Sequence, residues 1–217
     1  GRIIEPNGTT YDGKDIIDNL NSRSEQLHTL GVGPNSIVII CYGGSARFFQ
    51  DLLAIWSLGA CAVCLDERLS GFEVQNIVEF VRPIAILCRP GQHVNAGSFD
   101  VSCLEDRIPS ALGNNYSSFY SGELDAPALI LFTSGTTGTP KGVVHTYRSL
   151  LARIKLNHLM MGTELFSRTL CPLPTHFGHG LIGNCLTAWL SGGDLFLYPL
   201  TEITASIALP DYIDDNN

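Results

Sequence analysis

The sequence predicts an α/β protein built on largely parallel sheets covered by helices. The first observation is that short apolar runs, such as residues 36–42, 61–65 and 84–88, alternate with segments that repeat apolar residues at helical spacing. The second is that these runs are continuously apolar, which is typical of strands buried on both faces of a sheet. Strands connected through helices in this order pair in parallel by right-handed crossovers. Helices are therefore expected on both faces.

The first three helices precede or connect these strands. Residues 15–30 place apolar side chains near one helical face and stop at Gly31, which suits a C-terminal cap. Residues 47–58 have the same periodicity and stop at Gly59. The third helix, residues 70–81, opens on Ser-Gly-Phe-Glu, the pattern of a capping box. Each helix therefore has its own start or stop signal.

Residues 89–125 interrupt this alternation. They are rich in Gly, Ser, Asn and Asp, with only short apolar pieces, and we interpret them as a surface connection. They form the end of a first βα subdomain, residues 1–125. A second segment, residues 126–217, follows and contains the candidate site residues. In the second segment the pattern predicts strands at 129–132, 143–146, 168–173 and 194–198, and helices at 148–161 and 181–190.

A loop rich in glycine and hydroxyl groups lies between the first two strands of the second segment, in the string LILFTSGTTGTPKGVVHTY. Its glycines allow the backbone to approach an anion closely, so that successive N–H groups converge on it. Its hydroxyls add donors, and one lysine adds a full positive charge. The sequence therefore predicts a phosphate-binding loop formed by Thr133, Ser134, Gly135, Thr136, Thr137, Gly138, Thr139 and Lys141.

Two other interpretations of this loop fit less well. A Walker A loop needs Gly-Lys-Ser/Thr at the start of a helix, whereas Lys141 precedes Gly142 and a strand-like run. Pro140 also lacks a donor and resists a helix at that point. An ordinary hairpin turn is the remaining alternative, but hairpin loops are commonly only a few residues long and need no such density of donors.

The string TSGTTGTPKGVVHT resembles the signature phosphate loop of the adenylate-forming superfamily, which includes acyl- and aryl-CoA synthetases, nonribosomal peptide synthetase adenylation domains and luciferases. The resemblance implies a partial N-terminal domain of the adenylate-forming fold, with ATP and Mg²⁺ as ligands. It further implies that a carboxylate attacks the α-phosphate, giving an acyl-adenylate and pyrophosphate, before transfer to coenzyme A or a phosphopantetheine carrier. A flavodoxin-like module would require the match to be accidental.

The segment PLPTHFGHGL, residues 172–181, resembles the part of these enzymes that places a His or an aromatic ring against the substrate carboxylate. It implies an acyl pocket formed by His176, Phe177 and Gly178, although His179 leaves the register open. The alternative is a pair of histidines in a surface loop. Amino-acid-activating members typically hold an Asp here to pair with the α-ammonium group, and this segment contains no acidic residue. The substrate is therefore expected to be a fatty, aryl or other simple carboxylic acid.

Composition excludes several other functions. A net charge of −8, a pI near 5.1 and only three lysines argue against a nucleic-acid partner. We see no signal peptide and no apolar run long enough to span a membrane. Most of the seven cysteines lie in apolar runs, which indicates a reducing cytoplasm. Cys61 and Cys64 have C-x-x-C spacing, but we favour packing in a strand over a redox or zinc site.

The end of the sequence, TEITASIALPDYIDDNN, lacks the motifs that the resemblance would place there for adenine, ribose, Mg²⁺ and the catalytic lysine. No catalytic residue or protein metal ligand is therefore assigned within the sequence. Two functions remain open: the N-terminal part of an acid-activating enzyme, or a truncated, non-catalytic module that binds a nucleotide or a protein. Either would leave a sheet edge and an apolar face for a C-terminal half or a second copy.

Overall fold

A computed structural model describes residues 1–92, 102–105, 122–133, 141–198, 200 and 203–216. It confirms the α/β class. The strands are β1 (Ile3–Ile4), β2 (Thr10–Tyr11), β3 (Ile37–Ile40), β4 (Cys61–Cys64), β5 (Ala85–Cys88), β6 (Ser102–Glu105), β7 (Pro127–Thr133), β8 (Lys141–Thr146), β9 (Arg168–Cys171) and β10 (Asp194–Leu197). The α-helices are α1 (Gly13–Thr29), α2 (Ala46–Ser57), α3 (Gly71–Val81), α4 (Tyr147–Met161), α5 (Thr187–Leu190) and α6 (Ile203–Asp215). A 3₁₀ turn covers Glu164–Phe166, and a π-helix covers His179–Leu186.

The larger sheet has six described strands in the order β6-β5-β3-β4-β7-β8. All neighbours pair in parallel except β7 and β8, which are antiparallel. Alternate residues of the central strands enter two different apolar clusters. Val38 and Ile40 pack with α1 and α2, whereas Ile39 packs with α3 on the other face. This two-sided burial explains why the central strands are continuously apolar.

A second sheet has the order β2-β1-β10-β9, and the sequence pattern does not predict its first two strands. β1 pairs in parallel with β10, with Ile3 opposite Leu195, and antiparallel with β2. The Arg2 backbone N–H donates to Asp194 Oδ1 at 3.1 Å, beside this pairing. Two-residue strands are too short to show a periodic pattern, so only the tertiary pairing reveals them.

Part of the predicted surface connection is a strand. Residues 102–105 form β6, which pairs in parallel with β5 at the edge of the larger sheet. The prediction of a surface connection is therefore wrong for these four residues, because a short apolar piece is enough to add an edge strand. The rest of 93–121 lies outside the described residues.

Helix boundaries follow capping chemistry more closely than apolar periodicity. α1 begins at Gly13, two residues before the predicted start, because Asp12 and Asp15 form a capping box. The capping box predicted for α3 is confirmed, with the Ser70 backbone N–H donating to Glu73 at 2.9 Å. α6 contains Pro210, and the sequence pattern does not predict this helix. No helix among the described residues has the length and apolar character needed to cross a membrane.

A charged cluster is buried between α1, α2 and the end of β3. Asp51 is fully buried and accepts hydrogen bonds from Arg23 Nε at 2.9 Å and from the Tyr42 hydroxyl. Arg47 reaches the same carboxylate at 3.1 Å. Burial raises the pKa of Asp51, while the two arginines oppose that rise. The cluster joins the two helices that cover this face of the sheet.

Candidate functional site

The predicted phosphate loop connects the ends of a hairpin. β7 ends at Thr133 and β8 begins at Lys141, and these two residues are opposite each other in the antiparallel pairing. The Thr133 hydroxyl donates to the Lys141 carbonyl at 3.4 Å. Both residues are exposed. Six further predicted residues lie outside the described part of the chain: Ser134, Gly135, Thr136, Thr137, Gly138 and Thr139.

The carboxyl end of β7 opens into a cavity of 430 Å³. Its wall is mostly apolar and is formed by Cys64, Leu65, Leu69, Ile77, Phe132 and Phe177. Polar groups are supplied by Asp66, Glu73, Thr133 and His176. The fold thus brings one end of the predicted phosphate loop, Thr133, together with two of the predicted acyl-pocket residues. Loops after the carboxyl ends of parallel strands are the usual place for ligands in α/β sheets.

Gly178, the third predicted acyl-pocket residue, is not among the described residues that line this cavity. The position that a Cβ atom would occupy on Gly178 is 3.4 Å from Leu131 Cδ1 of β7, which is ordinary van der Waals contact. His179 begins the π-helix, and its ring lies against Gly183, one turn further along. Of the two histidines in PLPTHFGHGL, the structure therefore places His176, and not His179, among the described residues lining the cavity.

His176 contacts Asp66, which follows β4, and Phe177, the next residue in its own loop. Its Nε2 atom lies 3.4 Å from Asp66 Oδ2, and its ring centroid lies 4.4 Å from that of Phe177. Burial lowers the pKa of His176, and the nearby Asp66 only partly offsets this effect. The imidazole is therefore neutral at pH 7. A neutral ring can both donate and accept a hydrogen bond beside a bound carboxylate.

The Asp66 carboxylate forms an ion pair with Arg68. Arg68 donates to it through Nε at 3.0 Å and through NH2 at 2.8 Å, in a two-pronged pair. The hydrogen bonds from Arg68 hold the pKa of Asp66 below its ordinary value. Asp66 was not predicted as a site residue. It stands out in the sequence by its position directly after a buried strand, in LDERLS.

The loop that carries His176 rests on the turn after β3. Thr175 is buried, and a Cβ atom on Gly43 would lie 2.1 Å from Thr175 Oγ1. Only glycine at position 43 leaves room for this approach. Arg89 also donates to the Gly43 carbonyl at 3.3 Å, which ties the end of β5 to the same turn. Gly43 was not predicted as a site residue, because a close approach between distant segments leaves no local sequence pattern.

No group of three or more His, Cys, Asp or Glu side chains within residues 1–92, 102–105, 122–133, 141–198 and 203–216 is arranged to hold a metal ion. Cys61 and Cys64, the two cysteines with C-x-x-C spacing, are both buried free thiols among the described residues. Burial raises the pKa of Cys61 to about 12. This protonated state supports the packing interpretation of the C-x-x-C spacing.

Comparisons with known proteins identify the family of the chain. A family model described as AMP-binding enzyme matches residues 6–217. The hybrid PKS-NRPS synthetase buaA of Petromyces alliaceus is 31% identical over 209 residues, covering 91% of this chain and 5% of that protein. The nonribosomal peptide synthetase ungA' of Aspergillus campestris is 30% identical over 142 residues, covering 64% of this chain and 2% of that protein.

Solved structures share the fold. O-succinylbenzoate coenzyme A synthetase (MenE) from Bacillus subtilis, in complex with ATP and magnesium ion, matches with a TM-score of 0.81 and 20% identity, over 96% of this chain and 56% of that one. The N-terminal subdomain of Klebsiella oxytoca NpsA, in complex with 3-hydroxybenzoyl-AMSN, matches with a TM-score of 0.84 and 21% identity, over 99% and 53%. This chain therefore spans about half of these two structures and a small part of the curated relatives.

Proposed function

The chain belongs to the AMP-binding enzyme family, and from that premise we propose that it is the N-terminal part of an ATP-dependent acid-activating enzyme. In the reaction, a carboxylate oxygen of the acid bonds to the α-phosphorus of ATP, and the bond to pyrophosphate breaks. The products are an acyl-adenylate and pyrophosphate. One observation carries the proposal: Thr133, paired with Lys141 at the phosphate hairpin, lines the same cavity as His176 and Phe177.

The hairpin loop would bind the phosphates of ATP. Backbone N–H groups and hydroxyls of 134–139 would surround the β- and γ-phosphates, and Lys141 would supply the positive charge. The chain is otherwise acidic, so a lysine at this position is well suited to an anion that must be held locally. Mg²⁺ bound with ATP would neutralise phosphate charge. It is commonly held by phosphates and water with one or two carboxylates, which is compatible with the lack of a ligand cluster among the described residues.

The cavity favours an acid with an apolar body. Its described wall is mostly apolar, and its 430 Å³ is within the usual size range of ligand pockets, about 300–1,000 Å³. A fatty or aryl group would contact Phe177 and Ile77, and its carboxylate would face the neutral imidazole of His176. Both described carboxylates of the cavity already have partners for the role that an amino acid's ammonium group would need: Asp66 is bound to Arg68, and Glu73 accepts hydrogen bonds from Ser70. These contacts support a fatty or aryl acid over an amino acid.

The acceptor of the activated acyl group would be a thiol. Coenzyme A and a carrier-bound phosphopantetheine are the two candidates, and the relatives support both. MenE is named a coenzyme A synthetase, whereas the curated relatives are named nonribosomal peptide or hybrid synthetases.

A second candidate function is a non-catalytic module of the same fold that binds a nucleotide or a protein partner. It needs only the hairpin of β7 and β8, whose described ends, Thr133 and Lys141, are paired with each other. Such a module would still bind MgATP through the hairpin loop. It would not convert ATP and an acid to an acyl-adenylate.

ATP–pyrophosphate exchange tests whether this chain forms an acyl-adenylate by itself. The assay uses this chain with Mg²⁺ and three panels of acids: fatty, aryl and amino acids. Exchange that depends on a fatty or aryl acid would support the enzyme and its proposed substrate class, whereas exchange with amino acids alone would contradict that class. Silence with every acid, together with measurable MgATP binding, would mean that the phosphate loop is intact but that this chain does not form the acyl-adenylate by itself. The Lys141→Ala variant should abolish any exchange, and Lys155→Ala, on the exposed face of α4, is the matched control.

A further inference from the structure

The segment that carries His176 and Phe177 leads into a helix of unusual geometry. Residues His179–Leu186 form a π-helix, which continues into α5. The sequence predicts a single helix over 181–190, so both the start and the helix type differ from the prediction. π-helical hydrogen bonds connect residues five apart, so the chain turns less per residue than in an α-helix. The π-helical winding of 179–186 therefore fixes the orientation of Gly178, the residue before it, relative to α5.

Thr187 holds the end of this π-helix. Its side chain is fully buried, and its hydroxyl donates to the Ile182 carbonyl, five residues earlier, at 2.7 Å. The same hydroxyl accepts a hydrogen bond from Asn157 Nδ2 at 3.0 Å. The donor and acceptor capacity of the hydroxyl is thus used at the point where the π-helix ends and α5 begins.

A second contact ties the junction to α4. His158 Nε2 lies 2.8 Å from the Thr187 carbonyl, so two successive residues of α4 contact the same threonine. α4 follows β8 directly, with Thr146 as its N-cap. α4 therefore connects the phosphate hairpin, which consists of β7, β8 and the loop between them, to the π-helix that follows His176 in the chain.

We propose that Thr187 and Asn157 are positioning residues that fix the π-helical form of 179–186 and thereby the placement of His176 and Phe177 in the cavity. The proposal rests on the proposed function, because it assigns these contacts to the part of the site that receives the acid. The described ends of the phosphate loop, Thr133 and Lys141, are held by the β7–β8 pairing and by each other, and not by the Thr187 hydroxyl. Loss of that hydroxyl should therefore impair recognition of the acyl group while leaving phosphate binding intact.

The test compares two ligands on four proteins. Calorimetry measures the Kd of MgATP and the Kd of an aryl-adenylate sulfamate analogue for wild type, Thr187→Val, Thr187→Ser and Thr29→Val. Valine keeps the shape of threonine but removes the hydroxyl, and serine restores it. Thr29 is the matched control, because its exposed hydroxyl also donates to a carbonyl of its own helix, that of Glu25 at 2.9 Å, far along the chain from the site.

Thr187→Val should weaken analogue binding about tenfold, the factor that corresponds to one hydrogen bond's contribution. Its MgATP affinity should stay within about twofold, a change too small to correspond to a lost hydrogen bond. Thr187→Ser and Thr29→Val should bind both ligands as wild type does. If Thr187→Val fails to fold, Asn157→Leu replaces it. That variant removes the donor on α4 and leaves the threonine in place, and it should show the same selective loss.

Equal binding of the analogue by wild type and Thr187→Val would overturn this inference alone. Parallel loss of both ligands would also overturn it, because that result indicates general destabilisation. A wild-type chain that binds neither MgATP nor the analogue would instead refute the proposed function, and this inference with it.

Discussion

Adding one methyl group at Gly43 should loosen the attachment of the His176 loop. The new Cβ atom would lie 2.1 Å from Thr175 Oγ1, far inside van der Waals contact, and 3.5 Å from Thr175 Cβ, which is an ordinary contact. The clash is therefore with one oxygen atom. Thr175 is buried, so its side chain has little room to move away. Overpacking of this kind costs about 1–3 kcal/mol of unfolding free energy.

Urea denaturation of Gly43→Ala measures this cost. Gly33→Ala is the matched control, because a Cβ atom there meets nothing within 4 Å, and its change should stay within about 0.5 kcal/mol. Thr175→Ala removes the clashing oxygen, so the double variant Gly43→Ala/Thr175→Ala should lose less stability than the two single changes added together. We expect a coupling free energy of about 1 kcal/mol or more in this cycle. Equal effects of Gly43→Ala and Gly33→Ala, or simple additivity in the cycle, would refute the close approach.

Two further predictions concern the ionisable groups. Asp51→Ala should lower the unfolding free energy by about 3–5 kcal/mol in urea, because it removes the buried carboxylate that Arg23 and Arg47 both contact. Asp18→Ala, which breaks an exposed pair, should cost about 0–1 kcal/mol, and similar losses for both variants would contradict this prediction. Lowering the pH should reduce Tm, because burial lowers the pKa of His176 and His145 in the folded state. This stability is present above the ordinary pKa of 6.5 and is lost as pH falls through the folded pKa values. His176→Gln should lose less Tm than wild type between pH 7.5 and 5, and an identical pH profile would contradict it.

The sequence could predict those parts of the fold that depend on burial along one segment. β3, β4 and β5 are continuously apolar because each is covered on both faces, and that pattern is visible without a structure. The capping box of α3 is visible for a similar reason, since Ser70 and Glu73 interact across one turn. β1 and β6 show no such pattern, because they are short and owe their strand form to pairing with a distant partner.

The candidate site likewise contains residues that the sequence indicates and residues that only the structure reveals. His176 and Phe177 stand out through the resemblance of PLPTHFGHGL, and the structure places them beside Thr133. Gly43 and Thr187 do not stand out, because their importance lies in contacts with residues more than twenty positions away. The π-helix could not be predicted either. Its apolar residues suit an α-helix equally well, and the contacts that α4 makes with Thr187 at its end are tertiary.

The proposed function requires above all that the loop between β7 and β8 binds the phosphates of ATP. Calorimetric titration of MgATP into wild type, Lys141→Ala and Lys155→Ala tests this claim. Wild type and Lys155→Ala should bind with the same affinity, and both should lose affinity when Mg²⁺ is omitted. Lys141→Ala should bind about 10- to 150-fold more weakly, since a charge-assisted hydrogen bond contributes about 1.5–3 kcal/mol. Undiminished binding by Lys141→Ala, or no binding by wild type, would contradict the assignment of the phosphate loop.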